Sequence, residues 1–122
     1  MLRITVGYPR QYWPSKTRFL TRTWAGWDED LTPEEVYDAG RGWWRLGDRA
    51  LRERYALLIS RSTVRQAIEI IGWNPEGPVD GRRAFEGRIL GPGHPVYDRY
   101  VGKPLVVRSR NPVGYVDDEE LA

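Results

Sequence analysis

RYALLISRSTVRQAIEIIGW, residues 54–73, contains two β-prone runs that meet at Arg61-Ser62. In the second run, successive residues alternate between the two faces of a strand, as period-two sequences do. Two such runs joined by a two-residue turn predict a β-hairpin. One face of the second strand would carry Val64, Gln66, Ile68 and Ile70, and the other Arg65, Ala67, Glu69 and Ile71.

Shorter β-type runs lie on both sides of this hairpin. Their apolar and β-branched residues predict additional strands, and Pro and Gly mark the connections between them. The predicted strands are LRITV at 2–6, FLTRTWAGW at 19–27, AFEGRIL at 84–90 and KPLVVRS at 103–109. A basic aromatic loop, YPRQYWPSKTR, is predicted at 8–18, and NPVGYV at 111–116 is a closing segment.

Helix signals stand between these runs. In LTPEEVYDAG, Thr32 is a favourable N-cap residue, Glu35 completes a capping box and Gly40 can end the helix. Much of the acidic character of this segment is explained by the helix start, because acids there face the positive end of the helix dipole. A second short helix is predicted over 95–101, stopped by Gly102.

The number and spacing of these elements predict an α+β fold. We expect a small, partly closed mixed β-barrel of five to seven strands, with one or two short helices in its connections. A length of 122 residues is typical of one domain. We assign residues 1–116 to that domain and expect residues 117–122 to form an acidic flexible tail.

Composition excludes several kinds of site. The chain has no cysteine, which excludes disulfides, thiolate metal sites and a cysteine nucleophile. Its single histidine is too few for a zinc site built on a histidine pair, so we expect no metal and no cofactor. Because no apolar run approaches membrane-spanning length and the N-terminus lacks a signal-peptide core, we expect a cytoplasmic protein with no membrane partner.

Positive charge is concentrated in parts of the chain. Of the 19 basic residues 17 are arginine, and residues 41–65 contain seven of them against two acids. Arginine binds phosphate through two parallel N–H groups and stacks on bases, which lysine does not do. This pattern predicts a phosphate-contacting rim, with a solvated charged face as the alternative. The candidate phosphate-binding residues are Arg18, Arg22, Arg41, Arg45 and Arg49.

Tryptophan is abundant, and GRGWWRLGDRA at 40–50 places two of the six side by side between arginines. On an extended segment, adjacent side chains point to opposite faces, so we expect one of this pair in the core and the other along a groove. An aromatic cage for a base or a methylated cation is predicted, with core filling as the alternative. The candidate base-stacking residues are Trp24, Trp27, Trp43 and Trp44, with Asp28 or Asp38 as hydrogen-bond partner.

An enzymatic alternative depends on GPGHPVYDRYVGK, residues 91–103. His94 and Asp98 are residue types suited to general acid–base chemistry, although a lone loop histidine more often serves a turn or a cap. The first interpretation is a protein without catalysis. The alternative catalytic residues are His94, Asp98, Tyr100 and Lys103, with Arg99 beside them.

Three motifs resemble those of the PUA-like superfamily. They are RGWWRLGDRA at 41–50, RYVGK at 99–103 and NPVGYV at 111–116. The order of a helix, the first motif and a hairpin is similar to that of the small β-barrels of the EVE, ASCH and YTH branches. The likeness runs from about Trp24 to Val116.

This resemblance implies a nucleic-acid reader. EVE and YTH modules hold a modified base in an aromatic cage, and SRA domains flip a base into a pocket. We therefore predict a module that binds DNA or RNA, alone or beside a separate nuclease or modification enzyme. Two alternatives stay open: a small ribonuclease or nucleotide hydrolase of the ASCH type, and a protein-interaction module that presents acidic residues 28–38 to a basic partner.

Overall fold

The computed structural model of the protein describes residues 1–6, 31–75, 77–78 and 81–121, together with the backbone of 10–11 and 24–25. Its α+β class, with two short helices, confirms the prediction. The strands are β1 (Leu2–Thr5), β2 (Arg10–Gln11), β3 (Trp24–Ala25), β4 (Tyr55–Ser60), β5 (Thr63–Trp73), β6 (Phe85–Ile89) and β7 (Val113–Tyr115). The helices are α1 (Pro33–Gly40) and α2 (Pro95–Tyr100), and a 3-10 helix at Ala50–Arg52 precedes β4.

Five strands form one mixed sheet in the order β6-β5-β4-β1-β7. β1 runs parallel to β4 and antiparallel to β7, whereas β4, β5 and β6 form an antiparallel meander. β2 pairs with β3 apart from this sheet. In the described part of the chain the sheet is open, with β6 and β7 as its two edges, so closure into a barrel stays a prediction.

The predicted hairpin is confirmed, and its turn lies at the predicted position. Arg61 and Ser62 have φ values of 52° and 58°. A type I′ turn requires this left-handed conformation at both central residues. Because such a turn matches the right-handed twist of the strands, β4 and β5 pair directly from Ser60 and Thr63 onward.

A β-bulge at Arg65 corrects one part of the predicted alternation. Leu58 pairs with Gln66 and Ile59 pairs with Val64, so no residue of β4 lies opposite Arg65. The inserted residue turns the side chains that precede it to the opposite face of the sheet. Val64, which was predicted beside Gln66, therefore packs in the hydrophobic cluster of the other face.

Two hydrophobic clusters cover the two faces of the sheet. α1 contributes Val36 to the first cluster, and α2 contributes Val96 to the second. β4 supplies both clusters because its side chains alternate, with Leu58 in the first and Leu57 in the second. All six residues of β4 are buried, as expected for a central strand between two layers.

Helix α1 begins and ends as predicted. The Glu35 N–H donates to Thr32 Oγ1 at 3.2 Å, and the Thr32 N–H donates to Glu35 Oε1 at 3.1 Å, which confirms the capping box. Gly40 is the last helical residue. A Cβ at this position would lie 2.5 Å from Leu58 Cδ1, so glycine permits the close packing of the helix end on β4.

The predicted strand KPLVVRS is wrong. Pro104 forms one isolated bridge with Thr63, and Val106 is 69% exposed. Because β6 already pairs with β5 from Ile68 onward, only the short end of β5 near the turn is open to this segment. The edge of β1 is covered instead by β7, within the closing segment NPVGYV.

Predictions near the N-terminus lie largely outside the described residues. The loop predicted at 8–18 contains the two-residue strand β2, which corrects that part of the prediction. The strand predicted at 19–27 contains β3. Four groups of predicted site residues lie outside the described part of the chain: Arg18 and Arg22, Trp27, Asp28, and the side chain of Trp24.

Candidate functional site

A cleft of about 540 Å³ opens where the start of α1, the end of β6 and helix α2 meet. Its size falls in the range of pockets that bind small molecules. Much of its wall is apolar and includes Val36, Ile89 and Val101. Its polar and aromatic lining comes from Glu34, Arg65, Gln66 and Tyr97.

Gln66 supplies a buried polar group to this cleft. The residue is 5% exposed, and its Nε2–H donates to Pro33 O at 2.8 Å. Because this bond identifies the donor end of the amide, Oε1 is the acceptor that remains. Oε1 is buried and has no hydrogen-bond partner among the described residues. An unpaired buried acceptor costs about 1–3 kcal/mol, which an N–H group of a ligand would recover.

The β-bulge places Arg65 in the wall of the same cleft. Its Nε–H donates to Ser60 O at 3.1 Å, which holds the side chain against the end of β4. Bulges re-aim side chains and occur often beside functional sites. A guanidinium in this wall is a group that pairs with carboxylates and phosphates.

Tyr97 and Glu34 add an aromatic ring and a negative charge. Tyr97 is half-buried on α2 and packs against the second cluster, and the face of such a ring suits a flat ligand. Glu34 is exposed in the first turn of α1, where the helix dipole favours a carboxylate. The cleft thus combines a flat ring, a buried acceptor and one charge of each sign.

Two of the four tryptophans predicted to stack on a base have described side chains. Trp43 and Trp44 are both half-buried, and neither lines the cleft. Trp44 packs against the first cluster, and its Nε1–H donates to Gly40 O at 2.7 Å. Its ring therefore fixes the end of α1, which agrees with core filling, the alternative to base stacking. The aromatic cage stays a prediction.

The predicted phosphate-binding arginines differ sharply in exposure. Arg41 is 9% exposed, its Nη1–H donates to Phe85 O at 3.3 Å, and its Nε lies 3.4 Å from Asp38 Oδ1. Arg41 therefore joins the end of α1 to β6 inside the fold. Arg45 is exposed. Arg49 is half-exposed, and it is paired with Glu53 and with Asp117 near the C-terminus.

The alternative catalytic residues on α2 hold structural contacts. His94 is the N-cap of the helix, and its Nδ1 accepts from the Val96 N–H at 3.1 Å. The Gly93 N–H donates to Asp98 Oδ1 at 3.0 Å, and Lys103 Nζ donates to Asp98 O at 2.8 Å. These contacts pair His94 and Asp98 with backbone groups rather than with each other, so they do not assemble an acid–base pair.

Tyr100 belongs to a charged cluster near the C-terminus. Its O–H donates to Asp118, which also accepts from Arg99 Nη1 at 2.9 Å. Burial and the bond to Asp118 raise the pKa of Tyr100 to about 12. The bonds from Tyr100 and Arg99 lower the pKa of Asp118 to about 2. At neutral pH the cluster therefore contains a protonated phenol and an ionised carboxylate.

Sequence reasoning assigned Gln66 to a strand face and not to a site. The signal was nevertheless present, because Gln66 is a polar residue in a row with Ile68 and Ile70. A polar residue in an apolar row of a strand must find a partner inside the protein. That partner, Pro33 O, lies 33 residues away in the chain, and the packing of α1 brings it to β5.

Within the described residues, no three His, Asp or Glu side chains cluster as a metal site requires. No helix in this part of the chain is long and apolar enough to cross a bilayer. Comparison with protein-family models, with curated proteins and with solved structures finds no match. The functional assignment therefore depends on the chemistry of the cleft itself.

Proposed function

We propose that this protein binds nucleic acid and receives one base in the cleft between α1, β6 and α2. The observation that carries the proposal is the buried, unpaired Oε1 of Gln66. A ligand that reaches this oxygen must bring an N–H group to it, because an acceptor would leave it unpaired. Each of the common bases has an exocyclic amine or a ring N–H on its Watson–Crick edge, where proteins read unstacked bases.

The other groups of the cleft suit a nucleotide. Stacking on an aromatic ring such as Tyr97 contributes about 1–3 kcal/mol per base in single-strand-binding proteins. Arg65 offers a cation for the attached phosphate. Because Gln66 Oε1 is buried, the base must displace part of the cleft wall as it enters. A single-stranded or flipped nucleotide fits this entry because its base edge is free.

The charge of the domain supports a polyanionic partner. Residues 41–110 contain 14 basic and seven acidic residues. Exposed arginines make contacts with phosphate that do not depend on base sequence, and such contacts give binding a steep salt dependence. The exposed arginines of this range include Arg45, Arg52, Arg82, Arg88, Arg108 and Arg110.

The PUA-like barrel is part of the same proposal. Its support is the order of elements, in which α1 is followed by RGWWRLGDRA and then by the β4–β5 hairpin. The EVE, YTH and SRA branches that the motifs resemble bind nucleic acid. The proposed fold and the proposed use of the cleft therefore imply the same partner, on which a separate nuclease or modification enzyme would act.

The test is fluorescence anisotropy with labelled single- and double-stranded DNA and RNA at two salt concentrations, using the native protein and Gln66→Met. Methionine fills the same space without offering a strong acceptor. We expect Gln66→Met to bind single strands about tenfold more weakly, which corresponds to about 1.4 kcal/mol. The salt dependence should not change, because the phosphate contacts remain.

An abasic strand of the same length is the control, because it carries phosphates without bases. Both proteins should bind it equally. If Gln66→Met binds the base-bearing strand as tightly as the native protein does, the proposal that a base enters the cleft is wrong. If the native protein binds none of the four nucleic acids at low salt, the proposed function as a whole is wrong.

A further inference from the structure

The acidic tail, residues 117–121, is paired with arginines of the folded domain. Arg49 Nη2 donates to Asp117 Oδ1 at 2.7 Å. Arg99 donates to Asp118 Oδ2 at 2.9 Å through Nη1 and to Glu120 Oε2 at 2.7 Å through Nη2. Two guanidinium groups that are far apart in the sequence thus share one short run of carboxylates.

These arginines lie on a surface that also contains aromatic rings. The guanidinium carbon of Arg49 lies 4.0 Å from the centroid of the Tyr115 ring, and Tyr100 donates to Asp118. A cavity of about 400 Å³ beside Arg49 is lined by Arg52 and by tail residues. The side chains of Arg49 and Arg99 are 50% and 44% exposed, so a larger partner can reach both.

Carboxylate and phosphate bind a guanidinium in the same geometry, through parallel N–H groups. The carboxylates of the tail therefore occupy the positions that phosphates of a nucleic acid would take. The Arg49–Asp117 and Arg99–Glu120 pairs are exposed, and exposed ion pairs contribute little to stability, whereas the Asp118 side chain is only 7% exposed. Val116 and Leu121, at either end of the acidic run, are only partly buried against the second cluster. A chain of phosphates can thus replace the exposed carboxylates without disrupting the core, whereas release of Asp118 also breaks its bonds from Tyr100 and Arg99.

We propose that Arg49 and Arg99 form an anion-binding surface for the phosphate chain of a nucleic acid, and that the tail is its intramolecular competitor. The identity of the partner rests on the proposed function, but the surface itself needs no base. Phosphate binding at this surface requires release of Asp117 and Asp118. The tail therefore weakens binding of any polyphosphate chain, whether or not it carries bases.

The test compares the native protein with the double variant Asp117→Asn, Asp118→Asn. Asparagine keeps an oxygen that accepts from Tyr100, and circular dichroism and thermal unfolding verify that the variant folds. The probes are inorganic polyphosphate, measured by calorimetry, and labelled oligothymidylate, measured by anisotropy. We expect roughly threefold to tenfold tighter binding of both probes at low salt. For oligothymidylate, the slope of log affinity against log salt should steepen by about 1.4, as two added single-strand phosphate contacts predict.

The control variant, Asp48→Asn with Glu86→Gln, changes the net charge by the same amount at two exposed acids outside the tail. We expect it to change the affinity less than twofold. Adding Arg49→Gln and Arg99→Gln to the tail variant should abolish the gain. Equal affinities of the tail variant and the control would overturn the proposal, because net charge alone would then explain the effect.

The two probes separate this inference from the proposed base site. If the tail variant binds oligothymidylate more tightly but not polyphosphate, the proposed surface is wrong, because it should bind phosphates without bases. A gain for both probes supports the surface. If Gln66→Met has no effect on oligothymidylate binding in the same experiment, the proposal that a base enters the cleft is wrong, while the proposed arginine surface is unaffected.

Discussion

Replacing Gln66 with methionine should make the free protein more stable, although the same change should weaken base binding. The residue is 5% exposed and carries one bonded and one unbonded polar atom. Methionine has no group that strictly requires a hydrogen-bond partner, and it adapts to irregular spaces in a core. The stability of this variant therefore tests whether Oε1 is unpaired in solution.

Two opposing effects set the magnitude. Removing an unpaired buried acceptor returns about 1–3 kcal/mol, whereas losing the bond from Nε2 to Pro33 O costs about 0.5–1.5 kcal/mol. Pro33 is exposed, so water can bind its carbonyl oxygen after the substitution. The expected net gain is about 1 kcal/mol in the free energy of unfolding. For a chain of this size, that gain corresponds to a rise of about 4 °C in Tm.

Equilibrium unfolding in urea, followed by tryptophan fluorescence and circular dichroism, measures this change. Ile68→Val is the matched control, because Ile68 is a buried neighbour in the first cluster. This variant should have a free energy of unfolding that is lower by about 0.5–1.5 kcal/mol. If the free energy of unfolding of Gln66→Met falls by 1 kcal/mol or more while Ile68→Val behaves as expected, Oε1 has a partner in solution, such as a buried water. Gln66 Oε1 would then not be available to recognise a base.

Contacts elsewhere in the fold give three further tests. Gly87→Ala should lower the free energy of unfolding by about 1–3 kcal/mol, because a Cβ would overlap Glu69 O; an unchanged Tm would contradict this packing. His94→Ala should lower the free energy of unfolding by about 1 kcal/mol, because α2 loses its N-cap, and the affinity for nucleic acid measured by anisotropy should not change. Loss of a cleavage activity in this variant would favour the enzymatic alternative. Because the folded-state pKa of Asp118 is lowered, its stabilisation is complete above about pH 4 and is lost as pH falls toward 2. The raised pKa of Tyr100 gives stabilisation that is present below about pH 10 and is lost as pH rises toward 12. Asp118→Asn should reduce both losses in pH-dependent unfolding, and an unaltered pH profile would argue against the Tyr100–Asp118 bond.

Signals within a few residues of one another predicted the local elements well. Thr32 and Glu35 marked the start of α1, and Arg61-Ser62 marked the hairpin turn. Gly102, predicted to stop α2, follows the helix with φ of 83°. Caps and turns depend on dihedral preferences and hydrogen bonds between near neighbours, so the amino-acid sequence contains the information that they need.

The bulge at Arg65 shows where this kind of reasoning fails. Alternation identifies strand faces when one face is polar, but Ala67 and Ile68, which lie on opposite faces, are both buried. With apolar residues on both faces, an inserted residue leaves no mark in the pattern. The prediction therefore placed Val64 on the wrong face. It also missed that the bulge directs Arg65 to the cleft beside Gln66.

Composition and near neighbours along the chain determined the α+β class, the hairpin, both helices and the excess of arginine. Tertiary structure alone decided which polar groups lose contact with water and which charges are paired. Gln66 meets Pro33 across 33 residues, and Arg49 meets Asp117 across 68. The burial of Arg41 against β6 likewise depends on packing between distant segments. Desolvation and charge pairing depend on distances through space, which the order of residues does not specify until the whole chain has folded.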